Sequence, residues 1–114
     1  MTIEEKKQKI KDYQKKKIKK IIEHYDYEDQ REILVEECAE LIQSAQKLKR
    51  TGSFQKPLNE RFTKFVEELA DVIIICEQMK EYIGQGVVEM AIDMKLDRQI
   101  KRIEEEKAES GKAL

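Results

Sequence analysis

The sequence predicts an all-α protein, an antiparallel bundle of four helices that assembles as a dimer or a tetramer. Apolar residues recur at steps of three and four in two long segments, the spacing that places them on one helix face. Charged residues make up 41% of the 114 residues and hydrophobic residues 39%, which suits amphipathic helices with solvated faces. Because thin apolar stripes bury more area between subunits than within one, the same composition favours an oligomer.

The whole chain, residues 1–114, is expected to form a single domain, because this length supports one modest core. Its first helix is predicted from Ile3 to Glu23, and the segment 1–24 is rich in lysine. Residues 1–20 hold nine lysines and three acidic residues, a charge of 9 − 3 = +6 that leaves −7 for the remainder. A solvated helix face explains these lysines better than a nucleic-acid-binding arm, since no arginine is interleaved with them.

The second helix is predicted from Glu28 to Arg50 and carries one apolar stripe. The members of this stripe are Leu34, Cys38, Leu41, Ala45 and Leu48. Gly52 is suited to cap the C-terminus of this helix, and Asn59 is suited to begin the next one.

The third helix is predicted from Glu60 to Ile83 and is apolar almost all round. Its main stripe comprises Phe65, Leu69, Val72, Cys76, Met79 and Ile83, and Phe62, Val66, Ile73, Ile74 and Ile75 widen it. A helix of this kind needs neighbours on several sides. It is the main reason to expect an interface between subunits.

The fourth helix is predicted from Val87 to Ala108, after a break at Gly84 and Gly86, and residues 109–114 are expected to fray. Its inward-facing residues should be Val87, Ala91, Met94, Ile100 and Ile103.

The sequence favours a cytoplasmic protein that does not associate with membranes. No signal peptide is visible, and the longest apolar run, Val72 to Cys76, is too short to span a bilayer. Cys38 and Cys76 both fall on apolar stripes, which suits buried, reduced thiols.

One eight-residue pattern occurs twice. The first acidic segment, residues 35–42, reads VEECAELI, and the second acidic segment, residues 66–73, reads VEELADVI. Each segment places two carboxylates three residues apart, and one further glutamate precedes each pair. The pairs are Glu37 with Glu40 and Glu68 with Asp71, and the preceding residues are Glu36 and Glu67.

The two acidic segments are predicted to meet in space. At 100° per residue, the paired carboxylates lie at the edge of the predicted core rather than on its outer face. In an antiparallel hairpin, residues at equal distance from the turn lie opposite each other. Positions 37 and 71 share the midpoint 54 with positions 40 and 68, and Phe54 lies in the predicted turn. All four carboxylates should therefore arrive at one level.

A bound divalent cation would relieve the mutual repulsion of four such carboxylates. Ligands that are all oxygens suit Mg²⁺, or alternatively Mn²⁺. Zinc is disfavoured because no cysteine or histidine lies on that edge, and a di-iron centre needs two Glu-x-x-His pairs, whereas His24 is the single histidine. A solvated acidic surface would instead carry lysines four residues away. Only Glu68 has such a partner, Lys64, so the pattern favours a metal site over a solvated surface.

The motifs Glu36-Glu37-Cys38-Ala39-Glu40 and Glu68-Leu69-Ala70-Asp71 resemble those of the MazG-like, all-α nucleoside triphosphate pyrophosphohydrolases. The resemblance spans roughly residues 28–103. It implies a MazG-like bundle in which a helical hairpin carries the metal, and cleavage of a nucleoside or deoxynucleoside triphosphate to the monophosphate and pyrophosphate. Glu37, Glu40, Glu68 and Asp71 would ligate magnesium, with Glu36 and Glu37 as catalytic residues. Glu36 would either support the ligands without touching the metal, or help to orient or deprotonate the attacking water.

The same resemblance assigns Lys95 and Arg98, three residues apart on the fourth helix, to binding of the substrate's phosphates. Surface residues that pair with Glu89 or Glu105 are the alternative for these two. For the protein as a whole, the alternative is a non-catalytic helical oligomer of the same fold that senses a nucleotide or a metal, or binds partners as a scaffold. The motifs do not encode the preferred base or sugar.

Overall fold

The computed structural model describes residues 1–50 and 56–113, and this part of the chain contains four α-helices and no β-strand. The helices are α1 (Ile3–His24), α2 (Tyr27–Lys49), α3 (Lys56–Ile83) and α4 (Gln85–Ala113). The predicted all-α class and the number of helices are confirmed. The chain divides into two compact units, Met1–Tyr82 and Ile83–Leu114.

No helix in the described ranges combines the length and the apolar character that crossing a membrane requires.

Helix α1 packs on the rest of the first unit only near its C-terminus. A capping box begins the helix, in which Thr2 and Glu5 each accept the other's backbone N–H. Its half-buried residues are Ile18, Ile21 and Ile22, and none of its residues is buried. At its end, the Tyr82 hydroxyl donates a hydrogen bond to the Tyr25 carbonyl at 2.6 Å. This bond joins α3 to the connection between α1 and α2.

Helix α2 begins at an N-cap that the sequence analysis did not identify. Asp26 accepts the backbone N–H of Asp29 at 2.9 Å, so the helix starts at Tyr27. The predicted stripe of α2 is confirmed as its less exposed side, since Leu34, Cys38, Leu41, Ala45 and Leu48 are all half-buried. The predicted cap at Gly52 and the predicted turn at Phe54 lie outside the described residues.

Helix α3 begins at Lys56, four residues before the predicted start, so the assignment of Asn59 as an N-cap was wrong. Pro57 is the second residue of the helix, and proline is tolerated in a first turn because its missing N–H has no partner there in any case. The first turn therefore forms ahead of Asn59.

Helices α2 and α3 form an antiparallel hairpin in the predicted register. The Arg61 guanidinium donates a hydrogen bond to the Lys47 carbonyl at 3.0 Å, and the midpoint of 47 and 61 is 54. Gln30 and Gln78 share this midpoint, and both are buried, at 7% and 4% exposure. The hydrogen bond and the two buried glutamines thus fit one alignment of the hairpin.

The face that α3 turns to its neighbours differs from the predicted one. The less exposed line runs through Arg61, Phe65, Glu68, Val72, Ile75, Met79 and Tyr82. Three residues of the predicted stripe, Leu69, Cys76 and Ile83, are exposed. The helix is therefore rotated so that Glu68 lies within the packed face, and the prediction that all four carboxylates sit at the core edge was wrong for Glu68.

A single residue lies between the end of α3 and the start of α4. Gly84 separates them with φ of 118°, a backbone conformation that favours glycine. The helix continues to Ala113, through most of the segment that was predicted to fray. The residues predicted to face inward, namely Val87, Ala91, Met94, Ile100 and Ile103, are exposed in the single chain, so the prediction is not confirmed.

Candidate metal centre

Three of the predicted metal ligands form one cluster. Glu37 and Glu40 lie one turn apart on α2, and Glu68 comes from α3 at the level of Glu40. One carboxylate oxygen from each of these three residues lies within 4.8 Å of the other two. We call Glu37, Glu40 and Glu68 the carboxylate cluster. A helical hairpin in a single register is sufficient to bring its members together.

Asp71, the fourth predicted ligand, is not part of this close group. Its side chain is exposed, but its negative charge is the second largest cause, after burial, of the raised pKa of Glu37. It therefore lies near enough to interact with Glu37, the residue opposite it in the hairpin register. The structure brings three of the four predicted ligands together and places the fourth beside them.

Two oxygens of the carboxylate cluster are buried without a hydrogen-bond partner, Oε2 of Glu37 and Oε2 of Glu68. A buried carboxylate oxygen normally accepts hydrogen bonds or faces a cation, because leaving it unpaired is costly. Hard, oxygen-only donors of this kind match the preference of Mg²⁺ and Mn²⁺. The residues present therefore fit a divalent cation.

Glu68 differs from the rest of the cluster in having a lysine partner. The Lys64 ammonium lies 2.6 Å from Oε1 of Glu68, and the two side chains are 63% and 4% exposed. The hydrogen bond from Lys64 lowers the pKa of Glu68, although burial opposes it. The same contact raises the pKa of Lys64.

Glu37 and Glu40 both have raised pKa values, for different reasons. Burial is the largest cause for Glu37, followed by repulsion from Asp71. For Glu40 the largest cause is a side-chain hydrogen bond with Glu68, followed by repulsion from the Glu68 charge.

A pocket of about 180 Å³ adjoins the cluster, lined by Glu40, Gln43, Ser44, Lys47, Lys64 and Glu68. Ser44 is only 5% exposed, and its hydroxyl has no hydrogen-bond partner. Neither Ser44 nor Lys47 was among the site residues predicted from the sequence. Their spacing was the available signal, because they follow Glu40 by four and seven residues and so share its helix face.

The other predicted site residues lie outside the cluster. Glu36 is exposed, and its charge is the smallest of the causes that raise the pKa of Glu37. On α4, Lys95 and Arg98 line a surface pocket of about 180 Å³ together with Gln99 and Arg102. The two basic residues thus share one face of the helix, as predicted, and their role towards a phosphate stays a prediction.

Comparisons of the chain with protein-family models, with curated proteins and with solved structures found no match. The resemblance to MazG-like enzymes therefore depends on the two acidic motifs of the sequence. The geometry of the carboxylate cluster is a separate observation, made on this chain alone.

Proposed function

We propose that the protein is a magnesium-dependent nucleotide pyrophosphohydrolase, which cleaves a nucleoside or deoxynucleoside triphosphate to the monophosphate and pyrophosphate. One observation carries the proposal. Glu37, Glu40 and Glu68 place carboxylate oxygens within 4.8 Å of one another, and Oε2 of Glu37 and Oε2 of Glu68 are buried without a partner. The acidic motifs supply the reaction type, through their resemblance to MazG-like enzymes.

The carboxylate cluster would hold the ion, with Asp71 as a further ligand. Such an ion supplies charge neutralisation for the substrate's phosphates and acidifies a bound water molecule. Mn²⁺ has the same preference for oxygen and is expected to substitute for Mg²⁺.

The remaining roles fall to residues of the chain itself. In the reaction, the oxygen of water forms a bond to the α-phosphorus while the bond from that phosphorus to the bridging oxygen breaks. Glu36, exposed beside the cluster, orients the water and accepts its proton. Lys95 and Arg98 neutralise the negative charge that develops on the departing pyrophosphate.

The direct test is to incubate the purified protein with a panel of nucleoside and deoxynucleoside triphosphates and Mg²⁺, and to measure pyrophosphate release. Release that stops when EDTA is added would support the proposal. No release from any nucleotide between about pH 7 and about pH 9.5 would overturn it. Nucleotide or metal binding without release would instead support the non-catalytic sensor.

We further propose that the working form is a homodimer or a homotetramer assembled through α3. The buried hydrophobic residues of the described chain are only Ile75 and Met79. Large apolar side chains of α3 stay exposed, with Phe62 at 55%, Val66 at 48% and Ile73 at 53%. A monomer in multi-angle light scattering would contradict this proposal, and Ile73→Glu should weaken the assembly.

A cytoplasmic location is part of the same proposal. Cys38 and Cys76 are both free thiols, as expected in a reducing compartment.

A further inference from the structure

Lys64 reaches from the surface to a buried member of the carboxylate cluster. Its ammonium lies 2.6 Å from Oε1 of Glu68, while the Glu68 side chain is only 4% exposed. The lysine side chain itself is 63% exposed. A long, solvated side chain of this kind can leave its partner without disturbing the packing of the helix.

The position of Lys64 conflicts with full ligation of a metal by Glu68. The ammonium sits on one oxygen of a carboxylate whose other oxygen is buried and unpartnered. A divalent cation held by Glu37, Glu40 and Glu68 would place two more positive charges close to this ammonium. Lys64 and the metal therefore compete for the same carboxylate.

The adjoining pocket offers the ammonium another partner. Ser44 and Lys47 line this pocket together with Lys64, and the buried Ser44 hydroxyl lacks a hydrogen-bond partner. A phosphate oxygen in the pocket would accept a hydrogen bond from the hydroxyl and from the ammonium. The unpartnered hydroxyl is a sign of a ligand that is independent of the carboxylates.

We propose that Lys64 is an exchangeable counter-ion of the metal centre: it neutralises Glu68 until a divalent cation binds, and then binds a phosphate oxygen of the nucleotide in the pocket with Ser44. This inference rests on the proposed function. It assigns Lys64 two opposite effects. Without phosphate the lysine weakens metal binding, and with phosphate it strengthens the complex, so metal and nucleotide binding are coupled.

The test measures two affinities by titration calorimetry, for the full chain and for Lys64→Met. The first is the affinity for Mn²⁺ alone, and the second is the affinity of the Mn²⁺-saturated protein for inorganic pyrophosphate. Lys64→Met should bind Mn²⁺ about fivefold or more tightly than the unaltered protein, and should bind pyrophosphate about tenfold more weakly. Ser44→Ala should weaken pyrophosphate binding and leave the affinity for Mn²⁺ unchanged.

Lys80→Met is the matched control, because Lys80 also pairs with a carboxylate on α3, Glu77, at 3.4 Å. It should leave both affinities unchanged. Circular dichroism checks folding, and Lys64→Gln takes the place of Lys64→Met if the methionine variant does not fold.

An affinity for Mn²⁺ in the neutral Lys64 variant that equals or falls below that of the unaltered protein would overturn the inference, even if nucleotides are hydrolysed. Absence of hydrolysis, together with the expected change in Mn²⁺ affinity, would overturn the proposed function and leave the exchange in place. A protein that binds no Mn²⁺ would contradict both.

Discussion

The two acidic segments share most of their residues, yet the pKa values of their equivalent glutamates are shifted in opposite directions. Glu37 of the first segment corresponds to Glu68 of the second, and each has a buried Oε2 without a partner. The pKa of Glu37 is raised, mainly by burial, whereas that of Glu68 is lowered, mainly by Lys64. Four residues earlier, Ile33 precedes Glu37 where Lys64 precedes Glu68.

The comparison shows that a residue outside the repeated pattern sets the charge of the residue within it. One turn of helix separates the i and i+4 positions, so a lysine there lies directly against the carboxylate. The repeat provides the ligands, and the lysine that flanks the second segment lowers the pKa of the ligand it contacts. Four experiments test how far the equivalence of the two segments extends.

The largest expected effect is a loss of activity, which tests whether Glu37 and Glu68 are equivalent in function. Glu37→Gln and Glu68→Gln should each lower pyrophosphate release by roughly 100-fold or more, because each removes one ligand charge from the metal. Release rates at saturating Mg²⁺ measure this, with Mn²⁺ binding as a second readout. A variant with full activity would remove that residue from the metal centre.

The next effect concerns the glutamates that precede each pair, which we expect to differ. Glu36→Gln should lower the turnover number by about 100-fold with little change in KM, since Glu36 is proposed to accept a proton from the attacking water. Glu67→Gln is the control, because Glu67 occupies the same position in the second segment and is also exposed. Equal activity of the two variants would mean that Glu36 has no special role.

A smaller effect is a difference between Glu37 and Glu68 in how each contributes to the pH dependence of the free energy of unfolding. It is measured in EDTA, which keeps the carboxylate cluster free of metal. Because the pKa of Glu37 lies above its ordinary value of 4.5 in the folded state, its contribution is present at acidic pH and is lost as pH rises through the folded pKa. The lowered pKa of Glu68 has the opposite consequence, a contribution present above 4.5 and lost as pH falls through its folded pKa.

Urea unfolding of two variants measures this difference. At about pH 7, Glu37→Gln should be more stable than the unaltered protein and Glu68→Gln less stable, and both differences should shrink towards about pH 4. Changes of the same sign at neutral pH would contradict the assignment of opposite shifts.

The smallest expected effect comes from a substitution that gives the first acidic segment the flanking lysine of the second. Ile33→Lys places a lysine four residues before Glu37 and should lower the pKa of that carboxyl, with a gain in stability of about 0.2–0.5 kcal/mol at neutral pH. Carboxyl titration by NMR follows the pKa directly. Val35→Lys is the control, since that exposed position is not one turn from Glu37. An unchanged Glu37 pKa in Ile33→Lys would show that a lysine at the flanking position does not lower it against burial and the neighbouring carboxylates.

The alignment of the hairpin could be predicted from the sequence, whereas the face of α3 that packs could not. Pairing about position 54 followed from the spacing of the acidic segments, and the bond between Arg61 and Lys47 confirms it. Two lines along α3 were both compatible with burial. The hydrophobic pattern favoured the line through Leu69, whereas the line that packs passes through Glu68. Because α3 is apolar almost all round, its sequence does not identify the packed face.

The boundaries of the helices could also be predicted from the sequence only in part. The capping box of Thr2 and Glu5 is visible in the sequence as a Thr-x-x-Glu motif, and recognising it would have explained the start of α1. Asn59, in contrast, has the right residue type for a cap and lies inside α3, because the helix starts before Pro57. Single-residue preferences were less informative here than pairs of residues at fixed spacing.

The hydrogen bond from Arg61 to the Lys47 carbonyl affects how the two helices find their alignment during folding. If α2 slipped along α3 by one turn, the Arg61 guanidinium would lose this acceptor, and Glu40 would move away from Glu68. Hydrogen bonds of charged groups stabilise the folded state, so the slipped hairpin is less stable than the aligned one. A contact two turns of helix away from the carboxylates thus selects the alignment in which the cluster can form.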